Sequence, residues 1–254
     1  RIMIWINLQI LFFLENIDLK YQIIEILSEN RKKPYNSKTK YLDLIILTGY
    51  IIRKFVKIKL NKDEKIKLEQ LKQRFDVEFQ VSIDFVSVIK EILKIRKTYF
   101  WIYQKVLNKY NPSVIVEIVS YQYKNMVLND LCKKKNIPTV EFQHGVIDAL
   151  DLNYFYPNIR NINILPDYLF TYGEYWNSAV KLPIPNEHIR AVGFPYFERE
   201  IKKFKKMEKK DKILFISQGT VGKELSKFAY NFAKISNKEI IYKLHPGEYK
   251  RWKK

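Results

Sequence analysis

Three consecutive stretches decide the fold: Ser113-Val114-Ile115-Val116-Glu117-Ile118-Val119, then Lys124 to Lys135, then Ile137-Pro138-Thr139-Val140-Glu141-Phe142. The first is β-branched and predicts a strand, the second reads as a helix, and the third is apolar again. A strand, a helix and a strand in that order predict a parallel pair joined by a crossover helix, the unit of doubly wound α/β sheets. The alternation continues through strand-like Asp167 to Gly173, a helix over Tyr175 to Lys181 and strand-like Ile189 to Gly193. It resumes with Lys212 to Ser217, a helix over Gly222 to Ile235, and Glu239 to Leu244.

Upstream, the signals are mixed. Tyr21 to Asn30 has a helical look, Arg31 to Lys40 reads as a polar loop, and Leu42 to Leu47 reads as a short strand. Lys62 to Arg74 predicts a helix with Ile66, Leu68 and Leu71 on one face, and Asp84 to Tyr110 a long amphipathic helix. The opening Ile2 to Leu14 is apolar but carries Asn7 and Gln9 and falls well short of the roughly 20 residues of a membrane span, so a buried strand or helix is expected there. As the sequence starts at Arg, the true N-terminus is expected to lie upstream.

Composition narrows the classes. In 254 residues, 47% hydrophobic and 15% aromatic content supplies a real core and excludes a disordered polymer. The single cysteine, Cys132, excludes an internal disulfide and any cysteine-based zinc cluster; a buried helix position and a cytoplasmic setting suit it. The formal charge of +19 raises a basic nucleic-acid-binding protein as a reading from another class. The excess is mostly lysine, spread along the chain with abundant Ile and Asn, which is the mark of a biased genome as much as of a selected surface, and no nucleic-acid partner is expected. Peripheral contact with an anionic membrane also suits this charge.

Two histidines sit in turns after apolar runs, at expected strand ends: His144 in Gln143-His144-Gly145 and His245 in Lys243-Leu244-His245-Pro246-Gly247-Glu248. Ligands bind at the carboxyl ends of parallel strands, where loops and helix N-termini converge. His144 can accept the proton of an attacking hydroxyl, with Gly145 leaving the ring approachable and Gln143 beside it in the cleft. Glu141 lies off that face by strand alternation and makes a doubtful partner; Asp148 and Asp151 can orient the imidazole. Ser217-Gln218-Gly219-Thr220-Val221-Gly222 joins a strand to a helix. Its glycines allow a tight turn, Thr220 is expected to cap the helix, and the helix N-terminus then faces a phosphate. Lys243 and His245 share a strand face next to that turn. His188 lies in a turn and receives no role. No metal-ligand spacing is present, and no metal is expected.

In order, VEFQHG (residues 140–145), DYLFTYG (167–173), AVGFPYF (191–197), ILFISQGTVG (213–222) and YKLHPGE (242–248) resemble the two-domain GT-B glycosyltransferases. The likeness is to bacterial surface and capsular polysaccharide enzymes: capsular Kdo transferases, polysialyltransferase-like proteins and CDP-glycerol glycerophosphotransferases. It implies a metal-independent transfer of sugar from a nucleotide-activated donor, used as substrate with no cofactor, to a glycan or lipid-linked acceptor. Residues 1–199 would then be an acceptor-side Rossmann-like domain, 200–211 a lysine-rich linker, and 212–254 the start of a donor-binding domain that is expected to be truncated. The resemblance makes His144 the base, His245 a stabiliser of the departing phosphate, and Ser217, Gly219, Thr220, Gly222, Lys243 and Glu248 donor-phosphate residues. A CDP-glycerol-type polyol-phosphate transferase and a UDP-sugar 2-epimerase are the alternatives within enzymes.

Overall fold

A computed structural model describes residues 2–4, 20–25, 39–41, 43–148, 151, 153–154, 163–179 and 181–250. These fall into two compact units, residues 1–199 and 200–254. The first is built on a seven-stranded sheet of β1 (Ile2–Ile4), β2 (Tyr21–Glu25), β3 (Thr39–Tyr41), β4 (Val114–Glu117), β5 (Thr139–Phe142), β6 (Tyr168–Thr171) and β7 (Ile189–Ala191). The spatial order is β3-β2-β1-β4-β5-β6-β7, and every pair is parallel. This is the Rossmann-like strand order, with the switch of direction between β1 and β4. The expected α/β class is therefore met, and the opening apolar run supplies a central strand through Ile2–Ile4; its remainder lies outside the described residues, as does most of the Arg31–Lys40 stretch.

Two upstream expectations are corrected. Tyr21–Glu25 is a parallel strand instead of a helix, and the run expected as a strand at Leu42 to Leu47 belongs to helix α1 (Asp43–Phe55). The apolar run Leu44 to Leu47 was too short to tell a buried strand from one turn of a longer helix. Helices α2 (Lys62–Phe79) and α3 (Phe85–Tyr110) form where expected. Asn61 and Glu64 make a reciprocal capping box at the start of α2, and Asp84 caps α3 through the Ser87 N–H.

The core of this unit sits where α3 and α4 (Tyr123–Lys134) cover one face of the sheet: Tyr103, Leu107, Ile115, Leu128, Leu131 and Cys132 are all buried there. Burial pushes the Cys132 thiol up to about 12, so it is an inert packing residue. Asp130 on α4 pairs with Arg96 on α3 and with Lys134, tying the two helices together. On the opposite side, Val140 and Phe142 pack with Val116, Tyr168 and Phe170. Thr139 and Asp167 lock the starts of β5 and β6, the Asp167 carboxylate accepting from both the Thr139 N–H (2.8 Å) and its hydroxyl (2.9 Å). After β6 come the short α5 (Glu174–Ser178) and, beyond β7, α6 (Pro195–Phe204). Gly193 precedes α6 with φ +76°, a left-handed conformation that suits glycine. Part of the stretch expected as a linker is thus helical, through Phe204.

The second unit is one strand–helix–strand unit: β8 (Lys212–Ile216) and β9 (Glu239–Lys243) pair in parallel, with α7 (Gly222–Ile235) as the crossover. Phe215 meets Phe228 and Phe232 of that helix edge-on. Among the described residues, no helix is long and apolar enough to cross a membrane.

Leu128 is fully buried between the sheet and α3. Leu128→Ala should cost about 2–5 kcal/mol in urea unfolding, whereas a loss under about 0.5 kcal/mol would contradict this placement of the core.

Candidate functional site

The register of β4 and β5 sets Glu117 directly opposite Glu141 at the carboxyl ends of the two strands. Both side chains are fully buried. Glu117 accepts a hydrogen bond from the Asn129 amide (2.8 Å) and Glu141 one from the Tyr154 hydroxyl (2.5 Å), but one oxygen of each carboxyl has no hydrogen-bond partner among the described residues. Two buried like charges this close disfavour ionisation. Burial, reinforced by the charge of Glu141, holds Glu117 well above the usual carboxylate range. Burial likewise pushes Glu141 up to about 7, against the opposing effect of Ser120 and the Tyr154 hydrogen bond.

His144 follows two residues after the end of β5. Its Nδ1 lies 3.9 Å from Glu141 Oε1, and its Nε2 lies 3.2 Å from the Tyr121 hydroxyl. Glu141 is therefore beside His144, contrary to expectation. Strand alternation stops at Phe142, and the turn that follows swings the imidazole back over the strand end. Burial lowers the His144 pKa, with Asp151 and the Ile118 backbone pulling the other way. Burial thus favours the neutral ring that a base needs, and its side chain remains 27% exposed. A Tyr121 hydroxyl that donates to Nε2 leaves the imidazole proton on Nδ1, facing Glu141. Tyr121 also packs edge-on against Tyr154, closing a ring of four side chains: Glu141, Tyr154, Tyr121 and His144.

The neighbours expected around His144 divide. Gln143 is buried and braces the sheet: its amide donates to the Gly145 carbonyl (2.8 Å) and its oxygen accepts from the Tyr172 N–H (2.8 Å). It is a structural residue and not a cleft ligand. A side chain at Gly145 would meet nothing within 4 Å, so the space beside the histidine is open. Asp151 acts on His144 through its charge, while one of its oxygens accepts from the Asn153 backbone and amide. His188 stacks on Tyr168 and contacts the Asp167 carbonyl, a structural role.

In the second unit, His245 lies next to the Ser217–Gly222 turn, as expected from the parallel strand pair: a Cβ at Gly219 would sit 3.7 Å from the His245 ring. His245 Nδ1 accepts the Gly247 N–H (3.1 Å), which in the neutral ring places the proton on Nε2. His245 and Lys243 are exposed at this strand end. Three other expectations are revised. Ser217 is buried, its hydroxyl 3.0 Å from that of Tyr242, so it braces the turn. Thr220 does not cap α7; Val221 holds that position, without a side-chain cap. Glu248 is buried, accepts from the His245 N–H (2.9 Å) and lies so close to Gly222 that a Cβ there would come within 1.7 Å of its carboxylate. The first helical residue of α7 thus faces a buried carboxyl group, a position where the helix dipole favours negative charge. Gly222 is required by this contact, and Glu248 belongs to the turn's own structure.

Sequence reasoning missed Tyr121, Tyr154 and Glu117. The one available signal was Glu117, an acid inside a β-branched run.

No protein family matches the sequence, and no curated protein matches it. Solved structures similar to the chain include the UDP-GlcNAc 2-epimerase from Methanocaldococcus jannaschii, 14% identical over 99% of this chain and 67% of that one, with a TM-score of 0.47. The UDP-N-acetylglucosamine 2-epimerase from Rickettsia bellii is 14% identical over 98% and 62%, with a TM-score of 0.49. The UDP-GlcNAc 2-epimerase from Neisseria meningitidis, bound to UDP-GlcNAc, is 8% identical over 97% and 66%, with a TM-score of 0.43. The chain thus spans 62% of the Rickettsia protein's length and 67% of the first Methanocaldococcus protein's.

The Glu141 carboxyl binds its proton more tightly in the folded chain, at about 7 against an ordinary 4.5. Its contribution to stability is complete below the lower value and is lost as the pH rises through the higher one. Glu141→Gln cannot ionise, so its melting temperature should fall less than that of the wild type between about pH 5 and pH 8. Parallel pH profiles for the two proteins would contradict a raised Glu141.

Proposed function

We propose that the chain acts on a nucleotide-activated sugar as a metal-independent glycosyltransferase of GT-B type, passing the sugar to a glycan or lipid-linked acceptor of a bacterial surface polysaccharide. The observation that carries the reading is the part-exposed His144, held between Glu141 and Tyr121 at the carboxyl end of β5 in the parallel sheet. His144 takes the proton of the attacking acceptor hydroxyl at Nε2 by way of the Tyr121 hydroxyl, which hands its own proton to the ring as it accepts that of the acceptor. The imidazolium that forms is stabilised by Glu141 in its carboxylate form, which a pKa of about 7 leaves populated at neutral pH.

In the second unit, His245 Nε2–H and Lys243 supply a donor and positive charge to the leaving nucleotide phosphate. A setting on the cytoplasmic side of the membrane, with peripheral contact to anionic lipid, belongs to the same reading.

A second reading, epimerisation of a nucleotide sugar, is favoured by Glu141 itself. With a buried carboxyl of pKa about 7 beside it, the part-exposed His144 can both take and return a proton at a sugar carbon at neutral pH.

Incubating the protein with UDP-, CMP-, CDP- and GDP-sugars in deuterated water separates the two readings. Transfer releases free nucleotide; epimerisation keeps sugar and nucleotide joined and incorporates deuterium at the inverted carbon. His144→Ala should lower the observed rate by about 100-fold or more, the scale of a lost general base. Wild-type turnover in that variant would remove His144 from the mechanism.

A further inference from the structure

Next to the Tyr121–His144 pair, a cavity of about 610 Å³ opens between α1, α3 and the start of α4. Its walls include Tyr50 and Arg53 from α1, Tyr99 from α3, and Tyr121, Tyr123 and Lys124 around the start of α4. None of these residues carried a motif, and α1 was not expected as a helix at all.

The chemistry of the lining is specific. Four tyrosines present aromatic faces and hydroxyls together, with Tyr50 and Tyr123 about half exposed and Tyr99 buried. The Arg53 guanidinium lies 5.1 Å from the Tyr50 ring centre and the Lys124 ammonium 5.3 Å from that of Tyr99, so both cations are held over ring faces. Among the described residues, neither forms an ion pair with a carboxylate. Glu91, whose carboxyl feels the Arg53 charge, is itself bonded to Lys94 (2.5 Å). Two cations with no carboxylate ion pair among the described residues, about a tyrosine-lined hollow, match a ligand that is both anionic and flat-faced. Sugar rings offer C–H faces to aromatic rings and hydroxyls to phenols, and Arg matches carboxylate or phosphate in a fork geometry.

We infer that this cavity is a subsite for an acidic saccharide, a sugar bearing a carboxylate or a phosphate, whose anionic group is held by Arg53 and Lys124 while its ring lies against the tyrosines. The inference deepens the proposed transfer and rests on it for its purpose: the subsite holds the acceptor, with Tyr121 forming the wall shared with His144. Its binding chemistry stands on the cavity alone.

Saturation-transfer NMR and calorimetry with trigalacturonate, a hexose 6-phosphate and the neutral maltotriose test it on the whole chain, without any nucleotide sugar. Trigalacturonate or the hexose phosphate should bind at least ten-fold more tightly than maltotriose, and whichever binds names the acidic group. That preference should weaken with added salt and disappear in Arg53→Gln/Lys124→Gln, while His144→Ala retains it. Both substituted side chains are at least partly solvent-accessible, so unchanged melting temperature and circular dichroism would exclude misfolding as the cause. Equal binding of acidic and neutral sugars, acidic binding that survives the double substitution, or no binding of any of the three would overturn the subsite. Loss of acidic-sugar binding in the double variant upholds the subsite whether or not the wild type turns over a nucleotide sugar, so the two claims fail separately.

Discussion

Two carboxyl groups buried side by side, Glu117 and Glu141, set the terms for everything around them. Parallel pairing of β4 and β5 fixes them opposite one another, and neither strand can shift by one residue without moving its whole buried set to the other face. Burying two acids is costly unless they are protonated or paired. Here the surroundings do some of each, with Asn129 bonded to one and Tyr154 to the other, and with both held toward the neutral form. The result is a proton held near neutral pH directly under the one histidine of this strand end. A site that must move a proton at physiological pH needs such a group, and the sheet supplies it through register alone.

The two units treat negative charge in opposite ways. In the first, burial holds Glu117 and Glu141 toward the neutral form, and Arg53 and Lys124, with no carboxylate ion pair among the described residues, stand over tyrosine faces. In the second, the buried Glu248 is placed against the first residue of α7, where the helix dipole favours a carboxylate. That buried carboxyl accepts the His245 N–H and so orders the turn after β9, where His245 Nδ1 is already taken by the Gly247 N–H. The polar side chains exposed at this strand end are consequently the His245 ring and Lys243.

From residue 113 onward the fold was legible because β-branched runs and helical stretches alternate with clear turns between them. Upstream it was not. Tyr21 to Glu25 reads equally as the start of a helix, and the apolar residues of α1 are too few and too closely spaced to show their period. His144 and His245 were visible as histidines in turns at strand ends, and the adjacency of His245 to Gly219 followed from parallel pairing. The partners of His144 were hidden for two physical reasons. Period-two reasoning fails one residue past the last strand residue, which concealed Glu141. Tyr121 and Tyr154 come from separate loops and are two tyrosines among eighteen, converging only in the fold. Ser217, Gln143 and Glu248 erred the other way: polar residues in a suggestive turn proved to satisfy the backbone and one another, which is what most buried polar groups do.

The most direct test of the proton-handling site is an NMR titration of the His144 imidazole in the wild type and in Glu141→Gln. The account predicts a His144 pKa below the ordinary value of 6.5, together with a second inflection in the same resonances near pH 7 that reports Glu141 and is absent from the variant. A His144 that titrates above its ordinary value, or a single inflection common to both proteins, would contradict it.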